Sequence, residues 1–499
     1  MHTHLPPALR FAHGLLWGFL SIGTLVSTFS TGRCFSAEKP EITRFNPAST
    51  KVGGTELISC VGSFKSWPVS IWSSSQDLQW KCLEKAGEFE VTVRANAKPA
   101  ITWVRFYNEA GATPAKPFLI SNKKPIRESE PNDRITQVKE SVAPDTEVFG
   151  VLEKNGDIDH YRLDLKQGET ISATVDATRY LKSPLDAHLQ LLDSRGFVLL
   201  ENLDHYGLDP AIEYKISKDG PYYLRVFGFP EQPDSTISFR GGAEYVYRLR
   251  WNVGPLELDT LPVVDEHWTA PSIPTVQATS IQEATAVTTS DPQFGIFPSA
   301  AQTHSFKLPA ANGKLLHLRV LSQSIGSDLD PTLTIVDKDG KQQSFQDDAG
   351  TNRDPDIRWV VPKEGEYWAS INDFHKRGNH ASPYWFKVDV LEPGIVPSVT
   401  NDLLDAKISK EVDVSIKIER LANWTGELEL ITTGLPEGST LKPNKFTVTK
   451  DAPKSLEVKL VVPKAFDGVL PIEIKLGDRD APIKIAGPSP AGTWLHVSP

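Results

Sequence analysis

Thr170-Ile171-Ser172-Ala173-Thr174-Val175 alternates from side to side, as do Glu88-Phe89-Glu90-Val91-Thr92-Val93, Val412 to Ile418, and Leu456-Glu457-Val458-Lys459-Leu460. A strand sends successive side chains to opposite faces, so a period of two reads as half-buried β structure. Asp219-Gly220, Asp339-Gly340 and Pro436-Glu437-Gly438 supply turns at strand-length intervals. Between them no long amphipathic helix can be traced. The expected fold is all-β: a multi-domain string of β-sandwich or jelly-roll domains.

At 499 residues the chain has room for about three domains, or more if they are small β units. Its 39% hydrophobic and 23% charged residues fit a folded protein. A net charge of −10 and the absence of any Lys/Arg-rich run exclude DNA and RNA as partners. Three cysteines without C-x-x-C spacing exclude zinc ribbons, thioredoxin-type centres and c-type haem attachment. The H-E-x-x-H, G-x-S-x-G and P-loop signatures are also missing.

The first 37 residues read as a secretory signal. Arg10 is basic, Leu15 to Leu25 is apolar but too short to span a bilayer, and Cys34-Phe35-Ser36-Ala37 offers small residues for cleavage. A lipoprotein reading would leave Cys34 at the new N-terminus, and Arg33 fits that poorly. No later stretch is long and apolar enough for a transmembrane helix. Cys60 shares a strand face with Ile58, and Cys82 shares one with Trp80 and Leu78. A Cys60–Cys82 disulfide is the expectation for an oxidising compartment, with two buried free thiols as the alternative.

Residues 144 to 145 apart repeat. Ser183-Pro184-Leu185-Asp186 aligns with Ser327-Asp328-Leu329-Asp330, and Asp193-Ser194-Arg195-Gly196 with Asp337-Lys338-Asp339-Gly340. Asp209-Pro210 matches Asp354-Pro355, and Gly220-Pro221-Tyr222-Tyr223 matches Gly365-Glu366-Tyr367-Trp368. One domain therefore occurs twice. The expected layout is a signal at 1–37, a β-sandwich at 38–122 and a jelly-roll domain at 123–254. A Pro-rich linker at 255–276, a degenerate second copy at 277–392, a β-sandwich at 398–487 and a tail at 488–499 complete it.

Glu128-Ser129-Glu130-Pro131-Asn132-Asp133, Gly156-Asp157-Ile158-Asp159-His160-Tyr161, the Leu185-Asp186 hairpin and Gly220-Pro221-Tyr222-Tyr223 resemble the bacterial pre-peptidase C-terminal domain. The resemblance implies a jelly-roll sandwich of the kind appended to secreted proteases and other exported proteins. The second copy is similar but degenerate. The segments from Glu41 to Asn122 and from Val399 to Gly487 resemble immunoglobulin-like modules loosely.

Proline disfavours helix at Glu130, and an extended chain places residues 128, 130 and 132 on one side. Glu128, Glu130 and Asn132, with Asp133 and the pair Asp157 and Asp159, form an oxygen-rich set suited to calcium, which takes 6 to 8 oxygen ligands. The resemblance implies the same: an acidic segment at the entrance of similar collagen-binding domains binds calcium. A solvated acidic linker is the alternative. Adding 145 to each candidate lands on Ile273, Thr275, Gln277, Ala278, Gln302 and His304, so the second copy lacks the whole set and is expected to bind no calcium.

Asp337-Lys338-Asp339-Gly340 begins like an EF-hand loop but has Asp348 in the twelfth place, so it reads as a turn. His205, His304, His317, His375 and His380 lack metal-ligand spacing. Tyr206, Tyr222, Tyr223, Phe227 and Phe229, with Trp359, Trp368 and Trp385, are either core or stacking platforms for sugars or peptides. The functional expectation is an exported, non-catalytic binding or scaffold protein of the cell envelope or extracellular space. Its partner would be a polysaccharide, a peptide or a cell-surface protein. The rival is an enzyme: an accessory of a secreted peptidase or a hydrolase of unrecognised type.

Overall fold

In a computed structural model the described residues are 37–230, 238–256, 278–284, 286–289, 291–325, 327, 329–349, 353–376 and 383–499. All but the last residue of the expected signal, nearly all of the linker, Ile273, Thr275, Gln277 and His380 lie outside them. Among the described residues the helical pieces are one four-residue α1 (Thr178–Leu181) and a 3-10 turn at Gln323–Ile325. The all-β expectation holds.

The first module contains β1 (Glu41–Asn46), β2 (Ser49–Lys51), β3 (Thr55–Ser63), β4 (Ser70–Ser73), β5 (Leu78–Cys82), β6 (Glu88–Val93), β7 (Ala100–Asn108), β8 (Gly111–Ala112) and β9 (Lys116–Ser121). They form two sheets, β1-β3-β6-β5 and β2-β9-β7-β4, closed over Ile58, Phe89, Val91, Phe106 and Phe118. The alternation read in Glu88–Val93 puts Phe89, Val91 and Val93 inside.

Cys60 and Cys82 pack against this core, as their strand phases imply, but the expected disulfide is absent and both are free thiols. The reason is strand order. β6 lies between β3 and β5, which separates the two backbones by about two strand spacings, roughly 9.5 Å, beyond the reach of a disulfide. Burial raises the pKa of both thiols.

The second module has β10 (Lys124–Arg127), β11 (Thr146–Val151), β12 (Asp159–Leu165), β13 (Thr170–Asp176), β14 (Leu185–Leu192), β15 (Val198–Asn202), β16 (Ala211–Lys215), β17 (Gly220–Pro230) and β18 (Val246–Val253). Its sheets run β10-β11-β18-β13-β16 and β12-β17-β14-β15. The third has β19 (Gln293–Ile296), β20 (Thr303–Lys307), β21 (Leu315–Leu321), β22 (Pro331–Asp337), β23 (Gln342–Gln346), β24 (Asp356–Val360), β25 (Tyr367–Asp373) and β26 (Pro383–Leu391). Its sheets run β19-β26-β21-β24 and β20-β25-β22-β23. Apart from β10, the second module's strand order recurs element by element. Asp209 accepts from the backbone N–H groups of Thr178 and Arg179, and Asp354 does so from Gln323 and Ser324, so the repeated Asp-Pro holds the same turn in each.

The last module closes three small sheets over one core. Residues 488–499, expected to be a tail, contain strand Trp494–Ser498, which pairs with Leu403–Lys407 and Phe466–Val469. Trp494, Leu495 and Val497 are buried. This segment is a core strand that seemed a tail because Pro488 to Gly492 set five residues apart from the patterned chain. The module also begins earlier than expected, with strand Gly394–Ser398.

Phe149, Tyr180 and Leu181 of the second module insert into the core of the first. Beside them Arg248 donates to Asp176 at 2.7 Å and to Glu147 at 3.1 Å, while Ser121 donates to Glu147 at 2.6 Å. Burial alone would raise the Asp176 carboxyl, but Arg248, Arg250 and Arg179 outweigh it and hold its pKa below the ordinary value. The acidic entrance therefore sits on a sandwich that is joined to the first by inserted side chains and a buried ion-pair cluster.

Candidate metal centre

The strand phase of β12 carries Asp159 inward. Asp159, Tyr161, Leu163 and Leu165 share the core face, while Arg162 and Asp164 face outward. Glu128 follows β10 directly, and its N–H continues the pairing with β11 through Phe149 O. Glu128 and Glu130 thus meet Asp159 at one end of the sandwich, with one carboxylate oxygen of each lying within 4.8 Å of the others. Tyr161 of one sheet and Tyr247 of the other meet there at 2.5 Å between hydroxyls. Tyr161 donates to Glu128 Oε2 at 3.2 Å, and Tyr247 donates to Asp159 Oδ2.

Gly150 makes room for this arrangement. A Cβ there would stand 2.2 Å from the Tyr247 ring and 2.7 Å from Glu128 Oε2, so any larger residue expels one of them. Glu128 Oε1 accepts from Val151 N–H at 2.8 Å, and Glu130 Oε2 accepts from Asn132 N–H at 3.0 Å. The Glu130-Pro131 peptide is cis.

Of the six residues expected as ligands, Glu128, Glu130 and Asp159 converge directly. Asn132 is 2% exposed, and both its side-chain amide atoms are buried without a partner, as is Asp159 Oδ1. Asp157 is buried beside Asp133, with Lys154 Nζ 3.7 Å from Asp157 and 3.9 Å from Asp133. These two carboxylates thus flank the cluster and share one cation.

Burial pushes Glu128 up to about 7, with the charge of Glu130 adding to it and the Val151 N–H opposing. Burial again, then the charge of Glu128, pushes Asp159 up to about 9. Burial also raises Glu130 and Asp157. Carboxylates gathered out of water without enough positive charge behave so, and an isolated buried charge is costly. Oxygen-only donors with unpartnered buried atoms fit a hard cation such as calcium.

Sequence reasoning missed Tyr161 and Tyr247 as parts of this site. The first had a signal, standing two places after Asp159 on the same strand face; the second is brought in by sheet pairing alone. In the third module Gly295 and Tyr384 repeat the Gly150–Tyr247 contact, with a Cβ 2.3 Å from the ring. His304 stands where the offset places Asp159, bonded to Tyr384 at 2.7 Å and stacked on Phe297 at 4.3 Å. Aromatic packing fills the place that carboxylates occupy in the second module.

Residues 157–228 match the bacterial pre-peptidase C-terminal domain. A probable subtilase-type serine protease of Deinococcus radiodurans shares this domain, being 35% identical over 103 residues, which is 20% of this chain and 14% of the protease. Two solved structures show weaker likeness. A glucan-utilisation protein of Bacteroides ovatus, complexed with a mixed-linkage heptasaccharide, is 8% identical with a TM-score of 0.16, over 71% of this chain and 76% of that one. An Escherichia coli alpha-2-macroglobulin is 10% identical with a TM-score of 0.17, over 92% and 31%. No helix among the described residues is long and apolar enough to cross a membrane.

Proposed function

We propose that this is an exported, non-catalytic binding or scaffold protein whose pre-peptidase C-terminal domain is held by one calcium ion. Glu128, Glu130, Asn132 and Asp159 would supply the oxygens, with Asp133 and Asp157 beside them. The observation that carries the reading is the oxygen-only convergence of buried Asp159, half-buried Glu128 and exposed Glu130, with Asn132 and Asp159 left holding unpartnered atoms. Such a site steadies a fold and supplies neither nucleophile nor base. Tyr161 and Tyr247 orient the two buried carboxylates from opposite sheets. The His304 arrangement supports a metal-free third module.

The shared domain of the Deinococcus protease supports a second reading, an accessory of a secreted peptidase; fold kinship alone carries no chemistry. The test is a turnover screen of purified protein with casein, gelatin and chromogenic glycosides in calcium. No turnover is expected. Activity that copurifies with the chain and vanishes on substitution of one residue would overturn the proposal.

A further inference from the structure

Among the described residues, one stretch gathers exposed apolar side chains along a sheet edge. Phe197 is 62% exposed, Val198 45%, Leu199 36% and Leu203 41%. They lie on β15 and its flanks, and β15 is the last strand of β12-β17-β14-β15. An edge strand presents unpaired backbone groups, which proteins usually guard with lysine or proline. Phe197 to Leu203 contains neither.

The third module supplies an internal control. Its hairpin is built alike: Asp193 accepts from the N–H groups of Arg195 and Phe197, and Asp337 accepts from those of Asp339 and Lys341. At the 144-residue offset, Phe197, Val198 and Leu199 become Lys341, Gln342 and Gln343. The turn, the strand and its pairing therefore form without apolar residues at these places, so folding does not account for them.

We propose that β15 is a docking edge that takes up an extended, apolar segment of a partner polypeptide as an added strand. Main-chain bonding would supply affinity, and the apolar side chains would select the segment. The four side chains leave on the order of 300 Å2 open, the size of patch that is often functional on a monomer. Two copies meeting there would bury roughly 600 Å2, short of the approximately 1,200 Å2 of a stable interface, which favours a short segment over a second copy. From Asp193 to Asp204 the sequence carries three carboxylates, Asp193, Glu201 and Asp204, against Arg195 alone, which is not the basic rim that an anionic lipid surface needs.

The test uses the full mature chain. Phage-displayed linear peptides are selected on the wild type and compared with the triple variant Phe197→Lys, Val198→Gln, Leu199→Gln, which borrows the third module's residues. Expected are apolar peptides that bind the variant at least tenfold more weakly, at unchanged melting temperature, and that slow hydrogen exchange within Val198–Asn202. Backbone N-methylation along one edge of a selected peptide should abolish binding. Several results would overturn the proposal: no enrichment, equal binding to the variant, or indifference to N-methylation. So would a response confined to phosphatidylglycerol vesicles, or one confined to self-association.

Discussion

Asp159→Asn separates the cost of a buried carboxylate from its value as a ligand. Asp159 is fully buried, and burial with the neighbouring Glu128 charge sets its folded pKa at about 9 against an ordinary 3.8. A carboxyl with a raised folded pKa favours the protonated fold. Its contribution is fully present below the ordinary value and is lost as pH rises toward 9. At about 1.4 kcal/mol per unit, moving from pH 3.8 to about pH 7 costs the metal-free fold on the order of 4 kcal/mol. Asparagine has nothing to titrate, and its carbonyl still accepts from Tyr247. In chelator near neutral pH the variant is therefore expected to be more stable than the wild type, with the advantage shrinking to nothing in acid. Calcium closes the gap, because the wild type gains RT ln(1 + [L]/Kd), about 4.1 kcal/mol at a thousandfold excess, whereas the variant has lost a ligand charge. Hydrogen exchange of peptides from β12 and β18 reads both differences. A variant less stable than the wild type in chelator at neutral pH would refute the reasoning.

Tyr180→Ala is expected to destabilise the first and second modules together by about 3–5 kcal/mol, since the Tyr180 ring belongs to the second module and is packed in the core of the first; calorimetry that finds only one transition moved contradicts this. Denaturing, non-reducing thiol labelling of the mature chain should mark both Cys60 and Cys82. Burial lowers the His304 pKa from 6.5 to about 4, so its folded form resists protonation and the third module loses stability as pH falls through that window. H304F should flatten the loss in acid melting curves, and an unchanged slope argues against it.

Alternation made the strands legible, and Asp157 and Asp159, two places apart, entered the oxygen-rich set as a pair, although of the two only Asp159 reaches Glu128 and Glu130. The entrance carboxylates were legible through the proline that extends Glu130. Strand order was not: nothing in the sequence places β6 between Cys60 and Cys82, or brings Tyr247 across to Tyr161. The last strand was hidden because five residues after a Pro/Gly-rich break give too short a pattern. The insertion of Phe149, Tyr180 and Leu181 into the first module had no signal, since a periodicity reports burial but not the neighbour that provides it.

Calorimetric titration of calcium into the mature chain tests the central claim most directly, with Glu130→Ala and Asp337→Ala run beside the wild type. The expected result is one site per chain, retained in Asp337→Ala, whose residue caps a hairpin, and lost in Glu130→Ala. No binding heat in the wild type, or equal loss in both variants, would contradict a calcium site at the entrance of the second sandwich.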